Sequence, residues 1–259
     1  MQYEDFEFKI PIENADYKES SDSVLSSIAS IIQAAIDKGK NKIIINTNLK
    51  RGLPMVNINK VAGPFVEAWA YETFCDVCED ENNWYQLVNV EALGRLSQAD
   101  IILQFRKSRK VESSITAEVD VKATSEDIEG SGKSPNITSF GRIRTAYVED
   151  PNYLFVILSL QHRVYSLKDS KTGLMNGIME VISHRAYDLK FLSSKDLSYN
   201  PALGTGQIQI RDIHYVSVEQ RTTWEFVQLL DKKYLGSARR DVTQWYALAV
   251  KCGWIKIDE

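Results

Sequence analysis

The sequence is short of the features that mark several protein classes. It has three cysteines in 259 residues, and an odd, sparse set gives no disulfide framework and fits a reducing compartment. It has three histidines, His162, His184 and His214, scattered without the spacing of a zinc site. Cys75 and Cys78 form a lone CxxC without a second ligand pair, which reads as two small apolar side chains on a helix. No run approaches the roughly 18 apolar residues of a membrane span. The start, Met1-Gln2-Tyr3-Glu4-Asp5-Phe6, is acidic where a secretory signal is basic and then apolar, so a cytoplasmic location is expected. Repeats, low-complexity tracts and Gly/Ser linkers are missing. There is also no basic excess: the formal net charge is −4, which counts against a protein that coats nucleic acid. An enzyme whose basic groups face only a cleft remains compatible with that balance.

What is present is ordinary globular material, with 44% hydrophobic and 25% charged residues, enough for a normal core. A single domain over residues 1–259 is the simplest expectation. The apolar stripe Val24, Leu25, Ile28, Ile31, Ile32 and Ile36, ended by Gly39, predicts a helix over 22–37. A strand is expected over 42–47, and a helix from Pro64 with Phe65, Trp69 and Phe74 on its apolar side. Strands follow over 86–90, 101–105 and 115–122. Residues 137–147 and 174–184 have helical spacing, 153–160 reads as a buried central strand, and 207–216 alternates like a half-buried one. Helices over 223–235 and 242–252 close the chain. The mixture predicts an α/β fold, a mixed β-sheet flanked by helices.

One constellation carries chemistry. Asp100 stands at the mouth of the apolar strand Ile101-Ile102-Leu103, and Glu118-Val119-Asp120-Val121-Lys122 follows on the next strand. Residues two apart share a strand face, so Asp120 and Lys122 point the same way. The basic stretch from Arg106 to Lys110 suits a hairpin turn, and antiparallel pairing about it sets Asp100 opposite Asp120. Two facing carboxylates repel unless a divalent cation lies between them, and Mg²⁺ prefers such oxygen ligands. It polarises a phosphodiester and acidifies bound water, while Lys122 is placed to orient that water and offset transition-state charge. Asp-x-Lys by itself is far more often the weak ion pair of an exposed strand. The additional acid at hairpin spacing brings the two readings level. Glu118 is either a further ligand or a solvated flank.

These residues resemble the PD-(D/E)xK nuclease pattern, with Asp100 as the first acid, Asp120-Val121-Lys122 as the second block, and Ala99 where the pattern has proline. Ala99-Asp100-Ile101-Ile102-Leu103, Val119-Asp120-Val121-Lys122-Ala123-Thr124 and Ser134-Pro135-Asn136-Ile137 resemble the active-site block of HincII-type restriction endonucleases. The segments 46–49, 52–54, 58–60, 63–64, 132–140 and 199–210 are similar to the HpaI-type family, so the resemblance spans nearly the whole chain. It implies a restriction-endonuclease-like PD-(D/E)xK core and an EcoRV-like homodimer around double-stranded DNA, with residues 1–60 aiding dimerisation and wrapping. It also implies central, blunt cleavage of a six-base palindrome, GTTAAC, and a cognate DNA methyltransferase in the host. Asp100 and Asp120 are then Mg²⁺ ligands with the Val121 carbonyl as a third, Lys122 serves the water, and Glu67 is an acid beside the site. Alternatives sharing the motif are a sequence-specific DNA-binding protein with a degenerate centre and a repair nuclease.

Two segments are candidates for reading bases. Lys133, Ser134 and Asn136 lead towards an expected helix whose N-terminus can meet phosphate; Arg142 and Arg144 on that helix, and Lys50-Arg51 in the N-terminal loop, are candidates for phosphate or minor-groove contact. Asn200, Ala202, Gly204, Thr205, Gln207 and Gln209 combine polar ends with glycines that let a backbone approach DNA. Asn, Pro and Gly are also ordinary turn residues.

Overall fold

A computed structural model describes residues 2–51, 55–94, 96–108, 111–202 and 204–256. The sequence-predicted turn at Arg109-Lys110 and the Gly52-Leu53-Pro54 segment lie outside them. In chain order the elements are α1 (Tyr17–Asp37), β1 (Lys42–Ile45), α2 (Met55–Lys60), α3 (Ala62–Glu79), β2 (Leu87–Ala92), β3 (Ile101–Ser108), β4 (Val111–Ser125), β5 (Asn136–Ser139), α4 (Phe140–Glu149), β6 (Leu154–Lys168), β7 (Met175–Asp188), β8 (Leu197–Asn200), β9 (Gln207–Ile210), α5 (Thr223–Leu235) and α6 (Val242–Lys251). The expected mixed α/β fold is what forms. Among the described residues no helix is long and apolar enough to cross a membrane.

The chain packs as two compact units: residues 22–132 with 156–187, and residues 1–21 with 133–155 and 188–259. The first unit is a six-stranded sheet ordered β1-β7-β6-β4-β3-β2. Its β6 is buried almost continuously from Leu154 to Leu160, as a central strand covered on both faces must be. Helix α1 lays Val24, Ile28, Ile31, Ile32 and Ala35 into this core, and α3 adds Val66, Ala70 and Phe74. Pro64 falls in the first turn of α3, where its missing N–H costs nothing.

The second unit is built on the three-stranded sheet β5-β9-β8 and helices α4, α5 and α6. Both α5 and α6 open with capping boxes, Thr222 with Glu225 and Asp241 with Gln244, which satisfy first-turn N–H groups reciprocally. At its centre Arg144 is wholly buried. It donates Nε and Nη2 to the two Asp231 oxygens at 2.7 and 2.8 Å. Trp245 Nε1 and the Tyr3 hydroxyl also donate to Asp231, at 2.8 and 2.7 Å. The guanidinium lies 4.1 Å from the ring centre of Trp254. The expectation that Arg144 reaches phosphate is therefore overturned; the charge is consumed inside the core.

Four further expectations are corrected. Residues 174–184 are strand, not helix. Met175, Ile178, Met179 and Ile182 recur at three- and four-residue intervals, but β7 is enclosed from Gly177 to Val181 between β1 and β6, and burial of both faces erases the period-two signal. Residues 136–139 pair with β9 before the helix starts at Phe140, so the segment at Lys133 enters a strand and offers no helix N-terminus. The strand expected over 207–216 ends at Ile210, where Asp212 Oδ1 accepts the His214 N–H at 3.0 Å and turns the chain. Helix α1 also begins five residues early. Tyr17 and Ser21 continue it, their hydroxyls bonded to buried Asp188 at 3.2 and 2.7 Å.

Removing one partner of a buried ion pair strands the other charge. Arg144→Ala is expected to lower unfolding free energy by about 3–5 kcal/mol, read by urea denaturation. A loss below about 1 kcal/mol, the worth of a surface pair, would contradict the role assigned to this pair.

Candidate active site

The β3–β4 hairpin positions the acids. Ile101 pairs with Val119, Leu103 with Ala117 and Phe105 with Ile115. The buried side chains of Ile101, Leu103, Phe105, Ala117, Val119 and Val121 fix this register by holding one face of each strand in the core. Asp100, one residue before β3, thereby meets Asp120, as the spacing predicted. Its N–H donates to the Val119 carbonyl at 3.0 Å, and its Oδ2 accepts the Val121 N–H at 2.7 Å. The carboxylate is thus oriented by backbone and needs no flexible partner.

Asp120 is 4% exposed. Its Oδ1 accepts from Lys122 Nζ at 2.6 Å, while its buried Oδ2 has no hydrogen-bond partner among the described residues. Burial pushes its carboxyl up from an ordinary 3.8 to about 7. Lys122 pulls it down, and the Asp100 and Glu67 charges push it further up. Glu67, on α3, is half-buried. Burial and then the charge of Asp100 raise its carboxyl, and Lys122 opposes them. Three acids and one lysine therefore share one field. Glu67 and Asp100 both line an open cleft of about 430 Å³, with Pro64, Tyr71, Leu93 and Ser97 on its walls. Glu118 is tied to the flank, where its Oε2 accepts from Gln98 Nε2 at 2.9 Å.

The donor set suits a hard cation. A buried, unpartnered carboxylate oxygen beside a second carboxylate is the kind of group a cation satisfies. Among the described residues no group of three or more His, Cys, Asp or Glu forms a ready cation cage. Mg²⁺ is commonly held by only one or two carboxylates, with substrate phosphate and water completing its shell. The all-oxygen donor set fits that mode.

A second feature is a polar sheet face. Cross-strand partners share a face, and β9 sets Gln207 against Asn200 and Ser139, and Gln209 against Ser198 and Asn136. The opposite face carries buried Ile208, Ile210 and Leu197. The amide face is ordered internally: Gln209 Nε2 donates to Asn136 Oδ1 at 2.9 Å and to the Ser134 carbonyl at 3.1 Å. Ser134 holds a left-handed φ of 50°, and the backbone of Lys133 forms an isolated antiparallel β-bridge with that of Asp212. Arg142 is exposed on α4.

The segment joining β8 to β9 is pinned from several sides. Asn200 Oδ1 accepts the Ala202 N–H at 3.0 Å. The Thr205 hydroxyl lies 2.8 Å from that of Ser139 and accepts the Gly141 N–H at 3.1 Å, so its side chain is turned inward. Gly206 has φ 86°, and a Cβ there would lie 2.1 Å from the Tyr199 hydroxyl oxygen. Gly204 and Ala202 are exposed. Sequence reasoning missed Arg240, whose guanidinium reaches this segment; it is distant along the chain and belongs to no motif.

The raised carboxyl of Asp120 has a consequence for stability. A group that ionises near pH 7 when folded, against 3.8 ordinarily, favours the fold fully below the lower value. That contribution is lost as pH rises through about 7. In the absence of divalent metal, Asp120→Asn is expected to melt higher than the wild type at about pH 8, with the gap closing near pH 4. Equal melting temperatures at the higher pH would contradict the burial argument.

A family model described as type II restriction endonuclease HpaI matches residues 4–253. The type II restriction enzyme HpaI of Haemophilus parainfluenzae is 56% identical over 256 residues, covering 99% of this chain and 100% of that one. Among solved structures, the NlaIV restriction endonuclease aligns with a TM-score of 0.46 at 13% identity, covering 85% of this chain and 83% of that one. With a family match over nearly its full length and a relative of this identity, the chain belongs to the HpaI family of type II restriction endonucleases.

Proposed function

We propose that the protein is a Mg²⁺-dependent site-specific deoxyribonuclease that hydrolyses both strands of double-stranded DNA at GTTAAC, centrally, to leave blunt ends. The observation that carries the chemistry is that Asp100, Glu67 and Lys122 all lie within electrostatic reach of Asp120, one of whose oxygens is buried and unpartnered among the described residues. Family membership supports the substrate class. The assigned sequence rests on the likeness of residues 132–140 and 199–210 to the HpaI-type family. A homodimer matches a two-fold palindrome, and a host carrying this enzyme needs a cognate methyltransferase to protect the same site.

Asp100 and Asp120, with the Val121 carbonyl, are the groups that would hold Mg²⁺. When bound, the ion polarises the scissile phosphate and lowers the pKa of water. Asp100 is kept in place by the Val121 N–H, so it needs little reorganisation when the site is loaded. Lys122 orients the attacking water through Nζ and offsets the negative charge that grows on the phosphate oxygens. Glu67 adds negative potential from α3 and draws cations into the cleft. The amide face of Asn136, Asn200, Gln207 and Gln209 presents donors and acceptors of the kind that pair with base edges, with the backbone at Ala202 and Gly204 close by. Lys133, Ser134 and Arg142 lie on or beside that face in sequence and take the flanking contacts, whereas the Thr205 side chain, expected among them, is turned inward to Ser139 and the Gly141 N–H.

Lys122→Ala and Asp100→Ala are expected to slow single-turnover cleavage of a GTTAAC duplex about a thousandfold. Lys122→Ala should still bind that duplex. Cleavage by either variant within about tenfold of wild type would remove these residues from the chemistry.

A further inference from the structure

Arg240 connects a distant part of the chain to the segment that joins β8 and β9. Its Nε donates to the Tyr199 hydroxyl at 2.9 Å, and its Nη2 donates to the carbonyls of Pro201 and Gly204 at 3.1 and 2.8 Å. Tyr199 passes the restraint on, its hydroxyl donating to the Thr205 carbonyl at 2.8 Å. One guanidinium thus gathers three acceptors spread over residues 199–204, and a fourth follows through the phenol.

The clamp has a firm base. The Arg240 guanidinium lies 5.4 Å from the Tyr234 ring centre. Tyr234 is buried and stacks on Phe140 with ring centres 4.6 Å apart. Phe140 in turn meets Tyr199 edge-on at 5.9 Å. The glycines at 204 and 206, both at positive φ, leave the segment free to take several shapes. Bonds to its carbonyls from a planar, rigid donor select one of them. Lysine has no such fork: a single ammonium on a flexible stem cannot hold the same acceptors in one plane.

We propose that Arg240 is a positioning residue for sequence discrimination, holding residues 199–202 and 204–206 in the shape that brings Asn200, Gln207 and the backbone at Ala202 and Gly204 to the base edges. This rests on the proposed DNA-reading role of that segment. Discrimination requires polar groups held to within a fraction of an ångström, because a wrong base is rejected by leaving such groups unpaired. A segment freed from Arg240 still meets DNA and rejects wrong bases poorly.

The test compares kcat/KM on a duplex bearing the wild-type cleavage hexamer with that on duplexes altered by one base pair. Wild type, Arg240→Ala, Arg240→Lys and Arg239→Ala are measured side by side, with thermal melts to establish folding. Arg240→Ala is expected to reduce the cognate-to-altered ratio at least tenfold, with Arg240→Lys intermediate. Arg239→Ala, which removes an adjacent exposed charge, should leave the ratio unchanged. A folded Arg240→Ala with the wild-type ratio overturns the proposal. So does an equal fall on all sequences in both Arg→Ala variants, the mark of a simple phosphate contact. If Arg240→Ala does not fold, Tyr199→Phe removes one acceptor of the clamp and its bond to Thr205 at no change of charge. It should lower the ratio severalfold, and an unchanged ratio there also overturns the clamp. A wild type that gives no discrete fragments defeats the proposed function itself, whereas a discriminating wild type with an unaffected Arg240→Ala defeats only the clamp.

Discussion

The register of the β3–β4 hairpin is the constraint on which the candidate site depends. Ile101 against Val119 and Leu103 against Ala117 place Asp100 beside Asp120, and the Val121 N–H then seizes the Asp100 carboxylate. A slip of one residue would turn the valines of β4 outward and Asp120 and Lys122 to the other face. The hydrophobic alternation that stabilises the sheet is therefore also what sets the spacing of two acids. Fold and chemistry are specified by the same residues, which leaves little room for one to change without the other.

That arrangement carries a cost in the metal-free chain. Asp120 is buried with one oxygen unpartnered among the described residues and its carboxyl raised to about 7, although Lys122 sits 2.6 Å away. An ion pair that still leaves its acid raised is poorly compensated, because burial outweighs a single lysine. Neighbouring Glu67 and Asp100 worsen it. Such local strain makes sense where a cation or a phosphate later completes the set. The contrast with Arg144 and Asp231 is instructive. There a buried pair is bidentate, and Trp245 and Tyr3 supply further donors. The second acid is therefore the better compensated, although Arg144 Nη1 is also buried without a hydrogen-bond partner among the described residues.

Much of this was legible in the sequence, and the failures have physical causes. Asp100, Asp120 and Lys122 were readable because strand periodicity and hairpin symmetry are local rules. The central strand at 153–160 was readable because double burial leaves an unbroken apolar run. Residues 174–184 were misread because a strand buried on both faces can carry apolar side chains at helical intervals, and only pairing with β1 and β6 settles its form. Arg144 had the same look in sequence as Arg142, yet one is wholly buried and the other exposed. Asp231, which decides this, is far away along the chain. Arg240 was invisible for the same reason: its partners are distant along the chain, and two of its three acceptors are backbone carbonyls, which leave no signature in side-chain identity.

The account stands or falls on what this protein does to DNA. The most direct measurement is to incubate unmethylated phage DNA with the purified protein and Mg²⁺ and to sequence the fragment ends. Blunt ends reading GTT on one side and AAC on the other are predicted. A folded protein that binds DNA yet leaves it intact with Mg²⁺ or Mn²⁺ would contradict the central claim, and discrete fragments with other ends would contradict the assigned site.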